Sequence, residues 1–176
     1  MIKCVSQVSV FVVLAFSTLA IYSGCTAFQK VKAVDMHPVN KAQLVLSPFT
    51  YEPTIQNFNA NLKPYYKLQV YSVKNRLNPS QTDTIYRFYR KKSELFIYKA
   101  YERELFIAGN IYDDKVVLRN GIKVGIKRDE FLKCFKDLPE SKKDTIRLTS
   151  KKAINSFYFI FHNDKLKAIK IDNYFD

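Results

Sequence analysis

Hydrophobic and polar residues alternate over short runs from residue 66 to the end of the chain. A two-residue period places every second side chain on the same face of a strand, so these runs predict half-buried strands. Turn clusters such as residues 78–83 and Asn120-Gly121 separate them. The first predicted strands cover residues 66–73, 84–90, 93–100, a run containing Glu104-Leu105-Phe106-Ile107, and 115–119. Their short connections predict an antiparallel meander.

Three further strands are predicted near the end of the chain, at residues 144–150, 155–162 and 165–171. The middle run, NSFYFIFH, is apolar at most positions rather than at every second one. A strand of this kind usually lies inside a sheet and is covered. We therefore expect a helix to pack over residues 155–162.

One helix is predicted over about residues 129–138. Phe131, Cys134, Phe135 and Leu138 follow one another at i, i+3, i+4 and i+7, which places them on one helical face. The acidic residues at 129 and 130 suit the positive end of a helix, and the proline at 139 ends the run. This is the helix that we expect to cover the sheet.

A shorter apolar pattern predicts a second helix after Pro53. Ile55, Phe58 and Leu62 are spaced for one helical face, and a proline near the start of a helix costs no hydrogen bond. Together with the strands, the pattern predicts an α+β fold with an antiparallel β-meander and one firm helix, at about 129–138.

The first two dozen residues are predicted to be a leader and not part of the fold. Lys3 is followed by an apolar block from residue 8 to residue 21. A helix of that length is about 20 Å long, shorter than the roughly 30 Å core of a bilayer. The block is therefore typical of a secretory signal. The alternative is an uncleaved membrane anchor.

Tyr22-Ser23-Gly24-Cys25 resembles the lipobox of bacterial lipoproteins, with Tyr22 where Leu, Val or Ile is usual. The resemblance implies cleavage between Gly24 and Cys25 and acylation of Cys25, by diacylglycerol and fatty acids such as palmitate. Two or more acyl chains hold a protein firmly on a membrane. The alternative is ordinary secretory cleavage that leaves Cys25 as a plain thiol. In lipoproteins, an Asp after the cysteine marks inner-membrane retention; this chain has Thr26, which favours the outer membrane.

No acidic run follows Cys25, and surface export in some groups requires one, so the periplasmic face is favoured over the cell surface. The predicted organisation is a signal peptide at 1–24, a lipidated spacer at 25–43 and a single β-rich α+β domain at 44–176. Cys4 leaves with the leader and Cys25 is modified, so Cys134 cannot form an intramolecular disulfide. We expect its thiol to lie in the core.

A second, shorter resemblance covers residues 120–135. Gly121, Ile122, Val124, Gly125 and Ile126, followed by Glu130-Phe131, are similar to the element that opens the small modules of outer-membrane-assembly and β-lactamase-inhibitor-like lipoproteins. The usual Ser or Thr helix cap is replaced by Lys127, which has no acceptor for the helix amides. The resemblance implies a strand or turn that feeds a helix and then a meander. The chain as a whole resembles short lipoproteins of Gram-negative bacteria.

The chain carries a formal net charge of +13 at pH 7, and loss of Lys3 with the leader would lower it by one. Such an excess suits an anionic partner, either lipid or polysaccharide. Many basic residues instead interleave with aromatics, as in TIYRFYRKK, where lysine and arginine stems cover apolar surface. Nucleic acid is not an expected partner of an exported protein.

Residues that could perform chemistry are few. The only histidines are His37 and His162, which lie far apart in sequence, and the Asp113-Asp114 pair, Asp172 and Asp176 lie near predicted turns. Four glycines offer no phosphate-binding loop. No catalytic, cofactor-binding or metal-binding residue is predicted.

The expected function is therefore a non-catalytic, membrane-tethered binding or structural module, whose partner is another envelope protein or an anionic surface. The alternatives are an electrostatic binder of anionic lipid or polysaccharide and a hydrolase of envelope polymers. A protein-binding module predicts an exposed aromatic patch, an electrostatic binder a lysine-rich face, and a hydrolase a cleft with converging acids.

Overall fold

The computed structural model describes residues 38–75, 77–101, 103–150 and 154–173. The predicted leader, the cleavage site at Gly24 and Cys25 and residues 25–37 of the predicted spacer lie outside the described residues. Residues 39–43 of that spacer belong to the folded part, because Val39 pairs with Phe135 and a helix begins at Lys41.

The elements follow one another in the order helix, helix, four strands, helix and three strands. The helices are α1 (Lys41–Leu46), α2 (Ile55–Leu62) and α3 (Arg128–Lys133), with a 3₁₀ turn at Arg119–Gly121 before α3; the strands are β1 (Lys67–Lys74), β2 (Thr82–Arg90), β3 (Ser93–Ala100), β4 (Arg103–Ile111), β5 (Thr145–Thr149), β6 (Asn155–His162) and β7 (Lys165–Asn173).

The described strands form one seven-stranded antiparallel sheet in the order β1-β2-β3-β4-β7-β6-β5. The sheet consists of two meanders, β1 to β4 and β5 to β7, which meet where β4 pairs with β7. The predicted α+β fold with an antiparallel meander is confirmed. The strands β1 and β5 are its two edges.

Every described helix contributes to a core on the same face of the sheet. Phe58 of α2 packs against Phe88 of β2, at 5.5 Å between ring centroids, and Phe131 of α3 packs against Phe159 of β6, at 4.8 Å. These strand positions lie on one face, because cross-strand neighbours connect them from β2 to β6. The neighbouring pairs are Phe88–Leu95, Leu95–Gly109, Gly109–Ile171 and Ile171–Phe157. The second face of the sheet carries no helix of the described chain.

The predicted helix over 129–138 is shorter in the structure and ends at Lys133. Beyond Cys134 the backbone pairs with the entering chain instead, because Val39 N–H donates to the Cys134 carbonyl and Lys136 N–H donates to the Val39 carbonyl. These bonds divert the chain out of helical geometry. The longest described helix is α2, where the Thr54 hydroxyl accepts a hydrogen bond from the Asn57 N–H, as an N-cap does.

The predicted strand at 115–119 is wrong. Val116 and Leu118 are buried, which explains the alternation, but no described strand pairs with them. Leu118 N–H donates to the Ile122 carbonyl, and Arg119 N–H donates to the Pro48 carbonyl. The segment is an irregular core-lining connection that leads into the 3₁₀ turn, where Asn120 and Gly121 have positive φ angles of 60° and 73°.

The prediction that a helix covers residues 155–162 is confirmed by the contacts of Phe131 with Phe159 and Phe161. The strand also lies inside the sheet, as expected, between β7 and the edge strand β5. Phe157, Phe159 and Phe161 are buried on the helical face, whereas Tyr158 and Ile160 are half-buried on the other. Apolar character on both sides therefore marks a strand with one covered and one open face.

Candidate functional site: the open face, the free edge and the basic end

Several residues that the sequence singled out lie apart from one another. His162 is exposed beside the β6–β7 turn, and Asp172 is exposed near the end of β7. His37, Asp176 and Cys25 lie outside the described residues. Among the described residues, no group of three His, Cys, Asp or Glu side chains lies close enough to hold a metal ion.

Asp113 has a structural role that the sequence did not indicate. Its carboxylate accepts a hydrogen bond from the hydroxyl of Tyr66, at 3.2 Å, and forms an ion pair with Arg90, at 3.4 Å. Burial of Tyr66, and then the negative charge of Asp113, raise the pKa of the Tyr66 phenol, while a hydrogen bond with Ser93 opposes the shift. Asp113 thus fixes the loop after β4 to the start of β1.

Cys134 is buried in the core, as the sequence predicts. Its sulfur lies 3.3 Å from the Glu130 carbonyl oxygen and 3.5 Å from that of Asn120. Burial, and then the charge of Glu130, raise the pKa of the thiol. The neutral thiol is favoured, so the site does not provide the thiolate that a nucleophile needs.

Arg128 holds the start of α3 against the β6–β7 turn. Its guanidinium binds the Asp164 carboxylate at 2.9 Å, donates to the carbonyl oxygens of Ser141 and Lys143, and lies 4.4 Å above the ring of Phe161. The sequence carries one signal of this role. Arg128 stands in the first turn of a helix, where the helix dipole disfavours a positive charge, so a basic residue there suggests a specific partner.

A shallow groove of about 700 Å³ lies beside Arg128. Lysines and three carboxylates line it, and the carboxylates are those of Asp129, Glu140 and Asp164. Asp164 is already bound to Arg128. No contact joins the remaining two carboxylates, so the groove shows no assembled acid–base pair.

The side of the sheet that no described helix covers, which we call the open face, carries half-exposed aromatic and apolar side chains. The register places Tyr71, Ile85, Tyr98 and Leu105 in one row across β1 to β4. Phe96 lies in the next row, between Arg87 and Ala108. A sheet of this many strands is about 30 Å wide, so the open face is large for the uncovered surface of a monomer.

The free edge of β1 adjoins this row. Every residue of β1 is exposed except the half-buried Val73, and the exposed set includes Leu68, Val70 and Tyr71. No charged residue lies between Lys67 and Lys74, and the pairing with β2 has no bulge. Proteins usually protect long edge strands with charges, prolines or bulges, and β1 has none of these between its two terminal lysines.

The other edge differs. The strand β5 is five residues long and carries Arg147 at its centre, with its guanidinium 5.3 Å from the ring of Tyr158. A short edge with a central charge is the usual protected form. The two edges are therefore unequal, and β1 is the one open to pairing.

Exposed lysines collect at one end of the sheet, which we call the basic end. It is the end at which β1 and β7 begin and at which the β2–β3 and β6–β7 turns lie. The exposed lysines of this end are Lys67, Lys91, Lys92, Lys123, Lys127, Lys142, Lys143 and Lys165. Lys127 and Lys165 are bridge partners, which brings two of these charges side by side.

Within the described part of the chain, no helix has the length and the apolar composition needed to cross a bilayer. The search for similar proteins found no family model, no curated protein and no solved structure that matches this chain.

Proposed function

We propose that this chain is an envelope lipoprotein, held on a membrane by acylated Cys25, that acts as a non-catalytic module binding another envelope protein. The lipobox-like residues 22–25 support the anchor. The open β1 edge, continuous with the aromatic row of the open face, is the observation that carries the binding role. Attachment to the outer membrane, facing the periplasm, is part of the same proposal.

The partner supplies an extended segment that adds a strand beside β1. Backbone hydrogen bonds give such an interaction its affinity, and side chains on alternate positions give its specificity. The edge offers Tyr71 on the open face and Leu68 and Val70 on the other. Because Lys67 and Lys74 stand at the two ends of the strand, a segment with carboxylates at its ends is complementary.

The anchor is tested by replacing Cys25 with serine. We expect the native chain to incorporate a fatty-acid label, to gain the mass of acyl groups at its amino end and to sediment with membranes. Cys25→Ser should lose the label and the mass, while Cys134→Ser, at the buried thiol, should keep both. A Cys25→Ser chain that still sediments and has the same amino-terminal mass as the native chain would contradict the anchor.

The binding surface is tested by photo-crosslinking in intact envelopes. A crosslinking residue is placed at position 70 on β1, at 85 on the open face and at 145 on the protected edge β5. We expect one discrete crosslinked protein from positions 70 and 85 and none from 145. Adding Tyr71→Lys should abolish the product, whereas Thr149→Lys, the matched change on β5, should leave it.

Two outcomes of this experiment count against the proposal. Equal products from positions 70 and 145 would mean that the edge has no special role. A product with twice the mass of the chain would assign β1 to pairing between copies instead of to a different partner.

A further inference from the structure

The two ends of the sheet differ in charge, although β1 itself carries one lysine at each of them. Lys67 begins β1 at the basic end, and Lys74 finishes it at the opposite end. At the basic end, three carboxylates are already bound to basic side chains, through Arg90–Asp113, Lys115–Asp114 and Arg128–Asp164. Those three carboxylates are therefore not available to the exposed lysines of that end, and none of these lysines has an ion-pair partner among the described residues.

Acidic residues are also present there, since Asp129, Glu130, Glu140 and Asp144 lie near the start of α3 and before β5. They are outnumbered by the exposed lysines. At the opposite end, Lys99 forms an ion pair with Glu104 at 3.6 Å, and the carboxylate of Asp83 is buried. The basic end therefore carries more unneutralised positive charge than the opposite end of the sheet.

Tyrosine side chains project among these lysines. Tyr65 is 51% exposed and Tyr112 is 42% exposed. Lys115 lies 5.4 Å from the ring of Tyr65, and Tyr112 N–H donates to Ser93 beside the β2–β3 turn, which places both tyrosines at the basic end. Tyrosine rings among basic side chains are typical of the interface between lipid headgroups and acyl chains.

From this distribution we propose that the basic end docks on the anionic headgroups of a lipid bilayer. Positive side chains supply long-range attraction, and Tyr65 and Tyr112 enter the headgroup layer. The groove beside Arg128 does not contribute a pocket for an anion, because Asp129 and Glu140 line it. The attachment is made by an array of lysines on a surface.

This docking rests on the proposed function in one respect: the acyl anchor at Cys25 keeps the domain at a high local concentration near the membrane. Residues 26–38 reach at most about 45 Å from Cys25, a length comparable to the whole domain, so the tether itself permits either end to face the membrane. The charge distribution then selects the end. Docking at the basic end holds the β1 edge and the open face upright on the bilayer, where a partner reaches them from the side.

The test uses the full chain carrying Cys25→Ser, mixed with preformed vesicles, so that acylation cannot affect the result. Vesicles contain phosphatidylcholine alone or with about 30% phosphatidylglycerol, which gives the surface a negative potential. Amine acylation followed by mass spectrometry reports each lysine. We expect Lys91, Lys92 and Lys165 to be protected several-fold by the anionic vesicles alone, Lys74 to be unaffected, and 0.5 M salt to remove the protection.

Matched variants measure the contribution to binding. Each lysine near an anionic surface is worth roughly fivefold in partitioning. We expect Lys67→Gln to weaken binding to anionic vesicles by about that factor, and Lys74→Gln, at the other end of the same strand, to have no effect. Equal effects of the two variants, or equal protection by both kinds of vesicle, would overturn the proposal.

A soluble anionic polysaccharide, polygalacturonate, is the competing ligand. Stronger protection by the polysaccharide than by the anionic vesicles, at matched charge, would assign the basic end to a polymer and reject the bilayer. Because Cys25 is absent from this experiment, failure here leaves the anchor and the β1 crosslinks to be judged by their own results.

Discussion

At the scale of single residues, charged side chains join segments of the structure that are distant along the chain. Arg128 connects α3 to the β6–β7 turn, Asp113 connects the loop after β4 to β1, and Arg119 donates to the carbonyl oxygens of Ser47 and Phe49. None of these contacts follows from sequence periodicity. Each partner is distant along the chain, and a periodic pattern reports only which side of an element faces the core.

Arg128 is expected to contribute to stability through its planar fork. Lysine keeps the charge but cannot bind one carboxylate and two carbonyl oxygens at once. We expect Arg128→Lys to lower the free energy of unfolding by about 1–3 kcal/mol, measured by urea denaturation. Arg103→Lys, at an exposed position on β4, is the control and should change it by less than about 0.5 kcal/mol. Equal losses would show that the fork geometry of Arg128 is unimportant.

At the scale of elements, seven of the eight strands that the sequence predicts and both predicted helices are present in the described chain. Residues 93–100, 144–150 and 165–171 follow the two-residue period because one face of each strand is buried, and that period survives in the structure. Residues 66–73 alternate as well, although nearly all of β1 is exposed. Residues 115–119 alternate because one side is buried, but they lack a neighbour. Burial of one side of a segment is enough to make apolar and polar residues alternate. A strand also needs a neighbouring strand for its backbone hydrogen bonds, and the sequence pattern does not show whether that neighbour exists.

The two faces of the sheet are expected to respond differently to loss of a ring. Phe131 is fully buried against the rings of Phe135, Phe159 and Phe161, whereas Phe96 is half-buried on the open face. We expect Phe131→Ala to cost about 3–5 kcal/mol of unfolding free energy and Phe96→Ala about 1 kcal/mol or less. Chemical denaturation of both variants tests this.

The Phe96 result has a second use. A loss at Phe96 as large as that at Phe131 would mean that the open face is packed as a core surface, and the open face would then not be free to bind a partner. A small loss at Phe96, together with loss of the crosslink from position 85, would separate a binding role of this side chain from a stabilising one.

At the scale of the whole molecule, Tyr66 is buried and Tyr51 is partly buried in the fold, and the burial of these phenols makes stability depend on alkaline pH. Burial raises the pKa of Tyr51 to about 12, and the pKa of Tyr66 is also raised. An unfolded tyrosine ionises near pH 10. Since the folded state holds these protons more tightly, the contribution is complete below pH 10 and is lost as the pH rises toward 12.

We therefore expect the unfolding free energy to fall between pH 10 and pH 12, and Tyr51→Phe to reduce that fall. Tyr101→Phe, at a ring that is 80% exposed, is the control. Denaturation midpoints at several alkaline pH values provide the measurement. A slope that is the same in the native chain and in Tyr51→Phe would contradict the assignment.

The sequence alone determined the α+β class, the positions of most strands and the burial of Cys134, because these depend on local periodicity and on the cost of exposing apolar side chains. Only the tertiary structure decided which strands are edges, that the helices cover one face, and that the lysines from distant segments meet at one end. Those properties depend on strand order and register. Long-range pairing sets both, and no short stretch of sequence records it.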